Sequence, residues 1–289
     1  MQMDARCVAC MVERQAKLTS GRPNDERDMA FIRRVLQAIL DAPEGVSASW
    51  CVPLFEQAAK ECLGLSDLFS DVKRRANEWS MEALPAVREQ VLQADDPLKM
   101  ALKFSRAGNI LDFAVLSEDT IREKFRSVLE KTPLDTLDEA VYARFCAQLA
   151  QARQALIIGD NAGEIVFDVP LVEQLRRQYP GLEIYYGVRG GPAQNDATQA
   201  DALAAGMDRI ARVIGSGCCI PATELSCCSG EFCSCVEESN LILAKGQANY
   251  ESLCGCGRNV YYLFLCKCDR LAQILNKPQF TGIFAAERP

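Results

Sequence analysis

The chain changes its hydrophobic rhythm near residue 150. Before that point apolar residues recur with helical spacing. Ile32, Val35, Leu36, Ile39 and Leu40 fall at i, i+3, i+4, i+7 and i+8, the pattern of a helix face turned toward a core. Thr120 with Glu123, and Thr136 with Glu139, have the spacing of a capping box, in which a hydroxyl and a carboxylate satisfy first-turn N–H groups. Pro43, Pro85, Pro97 and Pro133 are expected between helices, where a missing N–H costs little.

From Ala155 onward, short apolar runs alternate with helix-length polar stretches. Strands are expected at Ala155–Ile158, Glu183–Val188, Ala211–Ile214, Leu241–Ala244 and Val260–Leu265, with helices at Leu171–Arg177 and Asp201–Met207. Such alternation predicts an α/β fold with a mostly parallel, doubly wound, Rossmann-like sheet. The organisation expected is a helical N-terminal region over 1–150, followed over 151–289 by the α/β domain that carries the site. No repeat or low-complexity tract interrupts this reading.

Ligands of doubly wound sheets collect at the carboxyl ends of the strands. The residues there are Gly159-Asp160-Asn161-Ala162-Gly163-Glu164 after the first run and Arg189-Gly190-Gly191-Pro192 through Asn195-Asp196-Ala197-Thr198 after the second. Gly215-Ser216-Gly217 follows the third, and Lys245-Gly246-Gln247-Ala248-Asn249-Tyr250-Glu251 closes the fourth. Singly, Asp160, Asn161 or Asp196 could be helix caps, and Lys245 could snorkel to solvent. Together they place carboxylate, amide and cationic groups on one sheet edge.

Composition narrows the chemistry. The 289 residues include no histidine, which removes imidazole-based nucleophilic catalysis and histidine metal sites. A formal charge of −7 argues against general capture of nucleic acid or an anionic membrane. No apolar run is long enough to span a bilayer, and the first residues lack a signal-peptide core. A cytoplasmic, reduced protein is expected, its cysteines mostly free thiols or metal ligands.

Asp160, the Asn161 amide oxygen and Asp196 offer three hard oxygen ligands, suited to Mg²⁺ or Mn²⁺. Arg189 and Lys245 can neutralise an anionic group beside them. A divalent metal next to cations and glycine-rich turns is equipment for phosphoryl transfer. In the absence of histidine, Glu164 and Glu251 are the candidates to orient or deprotonate a water. No Walker-type loop is present, and Gly215-x-Gly217 lacks the third glycine of a dinucleotide fingerprint, position 220 being Ile.

In this order the loops resemble those of the damage-control phosphatases, also known as the domain-of-unknown-function eighty-nine family. Upstream, Gly108-Asn109-Ile110-Leu111-Asp112 is similar to that family's Gly-Asn-x-x-Asp segment, and Cys7-Val8-Ala9-Cys10 to the Cys-x-x-Cys of its prokaryotic subfamily. The resemblance implies a metal-dependent phosphatase acting on small phosphorylated metabolites, with Asp160, Asn161 and Asp196 as metal ligands. It implies substrate contacts by Asn249 and Lys267, and a choice of Mg, Mn, Co or Ni as cofactor. Asn109 and Asp112 are expected to face the same cleft from the helical side.

Cysteine is the remaining anomaly. There are 15, ten of them between 218 and 268, and the resemblance does not account for that cluster. Two readings stand: small buried hydrophobes, or a thiolate metal-binding or redox-sensing protein, with Cys7 and Cys10 as a possible second metal or redox pair.

Overall fold

The structure, a computed structural model, describes residues 1–20, 25–113 and 118–287. Among these residues seven α-helices come first: α1 (Ala5–Ala16), α2 (Glu26–Leu40), α3 (Val52–Ala58), α4 (Ser70–Gln93), α5 (Pro97–Ala107), α6 (Glu118–Lys131) and α7 (Glu139–Leu149). The alternating part follows as β1 (Gln154–Ile158), α8 (Glu164–Gln178), β2 (Glu183–Val188), α9 (Gln199–Ala204), β3 (Arg212–Gly215), α10 (Gly230–Glu238), β4 (Leu241–Lys245), α11 (Gln247–Leu253), β5 (Val260–Leu265), α12 (Asp269–Leu275) and β6 (Gly282–Ala286).

The six strands form one sheet in the order β3-β2-β1-β4-β5-β6. All neighbours are parallel except β5 and β6. This is the mostly parallel, Rossmann-like sheet expected, and the strand order reverses between β1 and β4. The strands read as continuous apolar runs because both faces are covered. Ile157, Tyr186, Leu243 and Leu263 enter one apolar cluster, whereas Leu156, Ile158, Ile242 and Phe264 enter another on the opposite face.

The first of these clusters is shared. Leu84, Leu102, Phe104 and Phe145 from the helical half pack with the sheet residues and with Phe167 and Leu171 of α8. Helix α8 packs against both α4 and α5 and is buried almost throughout from Glu164 to Leu175. Helices α1–α3 build a separate cluster around Phe31, Val35 and Phe55.

Several local expectations are corrected. Helix α2 exists, but its buried face is Phe31, Val35 and Ala38, while Leu36 and Leu40 are exposed. At about 100° per residue, Leu40 lies on the opposite side from the Phe31–Val35–Ala38 stripe. Neither proposed capping box forms: Thr120 lies inside α6, and α7 is capped by Asp138, whose carboxylate accepts from Ala140 and Val141 N–H groups. Among the described residues, the boxes present are Asp25 with Asp28 and Thr198 with Asp201. Pro85 sits inside α4 rather than between helices. The carbonyl it deprives of a donor is that of Met81, an exposed residue, where water can substitute. Strand β6 and helices α10–α12 were not anticipated. Among the described residues, no helix is long and apolar enough to cross a membrane.

Candidate active site

The reversal of strand order opens a crevice at the carboxyl ends of β1 and β4. The loops after β1 and β2 are joined there by backbone hydrogen bonds. Ala197 N donates to Asp160 O at 2.7 Å, Ala162 N to Asn195 O at 2.8 Å, and Arg189 N to Ala197 O at 3.0 Å. Asn161 and Asp196 are consequently paired across a β-bridge. Helix α5 ends in a tight turn at Gly108–Ile110, which brings Asn109 in from the helical half.

Asp160 and Glu164 are linked by two amides. Asn109 Nδ2 donates to Asp160 Oδ2 and to Glu164 Oε2, both at 2.8 Å. Asn161 Nδ2 donates to the same two oxygens at 2.7 and 3.0 Å. The oxygen of Asn161 accepts from Asn195 Nδ2 at 2.6 Å, and that of Asn109 from the N–H of Leu265 at 3.0 Å. The backbone of Gly246 closes the cluster on the β4 side. Its φ is +81°, and a Cβ there would fall onto the Asp160 carboxylate, so only glycine serves.

Beneath this layer lies Lys245, fully buried. Its ammonium donates to Glu164 Oε1 and Asp168 Oδ1, each at 2.7 Å, and to Ser105 O at 3.2 Å, which engages all three protons. Asp168 also accepts from Ser105 Oγ and the Tyr186 hydroxyl. Burial, the largest single influence, pulls Lys245 down, but Asp168 and Glu164 outweigh it and hold the ammonium above its ordinary value. The structure thus places Lys245 as the counter-ion of two buried carboxylates.

Arg189 is also buried. Its Nε donates to Asp196 Oδ2 at 2.6 Å, Nη1 to Thr223 Oγ1 at 3.1 Å and Nη2 to Asn249 Oδ1 at 3.1 Å. Asn249 Nδ2 is fixed by the carbonyls of Gly159 and Lys245. Lys267 Nζ reaches Asp112 at 2.7 Å, and both charges act on Asp160. Hence Asn109, Asp112, Asp160, Asn161, Glu164, Arg189, Asp196, Lys245, Asn249 and Lys267 belong to one connected site.

Three of the residues singled out in the sequence lie elsewhere. Glu251 accepts from Gln247 at 2.8 Å on α11, and its charged neighbours include Arg270 and the chain N-terminus. Cys7 lies on α1 within reach of Arg270 and Glu251, with burial pushing its thiol up, and Cys10 on the same helix is exposed. Conversely, Asp168, Ser105, Tyr186 and Thr223 were not foreseen. Asp168 had a readable signal: it is the one carboxylate in the apolar run Ile165–Val172, four residues after Glu164 and so on the same helix face.

The charge inventory of the site is unbalanced. Asp112, Asp160, Glu164, Asp168 and Asp196 face Lys245, Arg189 and Lys267, two more carboxylates than cations. Asp160 carries the consequence: burial, then the Glu164 and Asp196 carboxylates, push its carboxyl well above the usual range. Burial raises Asp196 to about 6 despite the Arg189 guanidinium beside it. Among the described residues, no three cysteine, aspartate or glutamate side chains are placed to share a metal ion, so the cysteines form no shared thiolate centre there.

The chain matches the Damage-control phosphatase ARMT1-like domain over residues 3–282. It is 36% identical over 218 residues to a damage-control phosphatase of Archaeoglobus fulgidus, covering 74% of this chain and 73% of that one. A damage-control phosphatase of Pyrococcus horikoshii is 28% identical over 286 residues, covering 96% of each chain. The crystal structure of a DUF89 family protein from the same organism superposes with a TM-score of 0.84 over the whole of both chains at 23% identity, a likeness of fold. The chain therefore belongs to the damage-control phosphatase family with the ARMT1-like domain.

Proposed function

We propose that this protein is a divalent-metal-dependent phosphatase that hydrolyses small phosphomonoesters, such as sugar phosphates or damaged phosphometabolites. The observation that carries the reading is the surplus of buried carboxylates at the carboxyl edge of the sheet, centred on Asp160. A dication bound by Asp160, Asn161 and Asp196, whether Mg, Mn, Co or Ni, would supply Lewis-acid polarisation of the phosphoryl group and a water of lowered pKa. The residues fit such an ion. Two carboxylates and an amide are hard donors, and the excess negative charge matches that of a dication. In the rotamer present the Asn161 NH₂ faces Asp160, and a half-turn of that amide presents its oxygen instead.

The chain's own groups supply the rest. Asp112 holds the Lys267 ammonium, which has two further protons to offer phosphate oxygens. Arg189 balances charge at the Asp196 end and positions Asn249. Glu164, pinned by Lys245 on one oxygen and by two amides on the other, adjoins Asp160 and is the base we assign, since Glu251 stands with Arg270 instead. The fifteen free thiols suit a reduced, cytoplasmic setting.

The test is a phosphate-release screen over phosphometabolites, repeated with each of the four metals. Metal-stimulated hydrolysis is expected in the unmodified protein and lost in Asp160→Ala and Asp196→Ala. Full activity in both variants would overturn the proposal.

A further inference from the structure

The phosphatase reading uses none of the ten cysteines between 218 and 268, yet the backbone deliberately juxtaposes two of them. Past β3 the chain turns through Gly217, where a Cβ would stand 2.6 Å from Cβ of Ser229. Ser229 N donates to Ser216 O at 2.8 Å and secures this close approach. The next residue along each segment is a cysteine, Cys218 on one side and Cys228 on the other. The backbone contact sets these two thiols side by side, and each acts on the other's proton affinity.

The pair is chemically unequal. The neighbouring Cys228 thiol is the largest influence bringing the Cys218 thiol down to about 5 against the opposing effect of burial, helped by a backbone N–H, Ser216 and the Arg189 guanidinium. Ser216 Oγ lies 3.8 Å from Cys218 Sγ. Cys228 is pushed the other way by the neighbouring Cys218 sulfur and by burial. Its proton is donated to the Glu224 carbonyl oxygen at 3.3 Å. The inequality makes Cys218 the better nucleophile of the pair and Cys228 the thiol that keeps its hydrogen longer. Both are partly accessible.

We propose that Cys218 and Cys228 form a thiol–disulfide redox site whose oxidant is hydrogen peroxide. The Cys218 thiolate attacks a peroxide oxygen; the S–O bond forms, the O–O bond breaks, and hydroxide leaves and takes up a proton as water. The Cys228 sulfur then attacks the sulfenic sulfur. The S–S bond forms, the S–O bond breaks, and the Cys228 proton departs with the hydroxyl as a second water. The two thiols lose two electrons, which reduce one peroxide. The ring so closed contains Thr223, the hydroxyl partner of Arg189 and Asn249.

The experiment exposes the full, reduced chain to hydrogen peroxide, alkylates the remaining thiols and maps linked peptides by mass spectrometry without reduction. A Cys218–Cys228 link that disappears after treatment with a thiol reductant is expected. Cys228→Ser should lose the link and instead accept a dimedone adduct at Cys218. Cys218→Ser should give neither product. A dominant link from Cys218 to Cys219 or Cys233 would overturn the proposal. So would complete alkylation of Cys218 after a peroxide dose that oxidises other cysteines. The dimedone adduct is read independently of whether the disulfide can close.

Discussion

Asn109, carried by the turn after α5, donates at 2.8 Å to Asp160 at the end of β1, so one amide connects the helical half to the centre of the site. The same nitrogen holds Glu164, and the amide oxygen receives the Leu265 N–H. Asn109→Leu keeps the approximate volume and removes all three bonds. Under the proposed metal-dependent reading, phosphomonoester hydrolysis is expected to fall roughly 10- to 100-fold, the usual effect of losing a group that orients metal ligands. Stability should drop by about 1–3 kcal/mol, because buried polar groups lose their partners. Steady-state phosphate release and urea unfolding read the two effects, and unchanged values in both would contradict the arrangement.

Lys245 poses a different case, since its role is charge compensation in a dry interior. Lys245→Met leaves Glu164 and Asp168 without their cation and should cost about 3–5 kcal/mol. Adding Glu164→Gln and Asp168→Asn removes the uncompensated charges, so the triple variant should unfold at higher denaturant than the single one. Equal midpoints would show that the pairing matters little.

Gly246→Ala tests the approach of backbone to carboxylate. The φ of +81° and the overlap of the new Cβ with Asp160 both oppose the methyl group. A loss of about 1–3 kcal/mol is expected from the conformation, together with displacement of Asp160 and loss of metal-stimulated turnover. Wild-type metal affinity by calorimetry would refute the displacement.

Asp201 gives a pH dependence with a definite sign. It receives Lys73 Nζ at 2.8 Å, Asn77 Nδ2 at 2.9 Å and the Thr198 N–H at 2.8 Å, tying α4 to α9. Burial is the largest single influence and raises its carboxyl, but Lys73 and Thr198 outweigh it and leave the value below 3.8. A depressed folded-state value means the added stability is present above pH 3.8 and disappears as pH falls below it. Asp201→Asn should therefore cost roughly 1–3 kcal/mol at neutral pH and progressively less on acidification toward pH 3. A gap that stays constant from pH 7 to 3 would count against the assignment.

The parallel strands were legible because strands buried on both faces are uninterrupted apolar runs with polar loops at each end. Val260–Leu265 and Glu183–Val188 match residue for residue. Strand β6 escaped because Gly282–Ala286 is short and antiparallel, whereas alternation leads one to expect a crossover helix. Helix α8 begins at Glu164, ahead of the helix expected from Leu171, because a helix buried all round has no polar face to set its period. The loop residues of the site could be read because their side chains suit anions and cations wherever the fold takes them. The setting of Lys245 could not, since only the packing of α8 on the sheet places Glu164 and Asp168 against it. Glu251 fails for the converse reason, as proximity in sequence to Asn249 did not carry it into the crevice.

The apolar cluster shared by α4–α7, α8 and the sheet has a consequence for dissecting the chain. Secondary-structure class changes between Leu149 and Gln154, yet Phe145 packs edge-on against Tyr261 and Phe284 across that point, with ring centroids 5.0 and 5.6 Å apart. A cut there would bare two matching greasy surfaces and strip α8 of its outer cover, so the halves are better regarded as layers of one body than as separable modules.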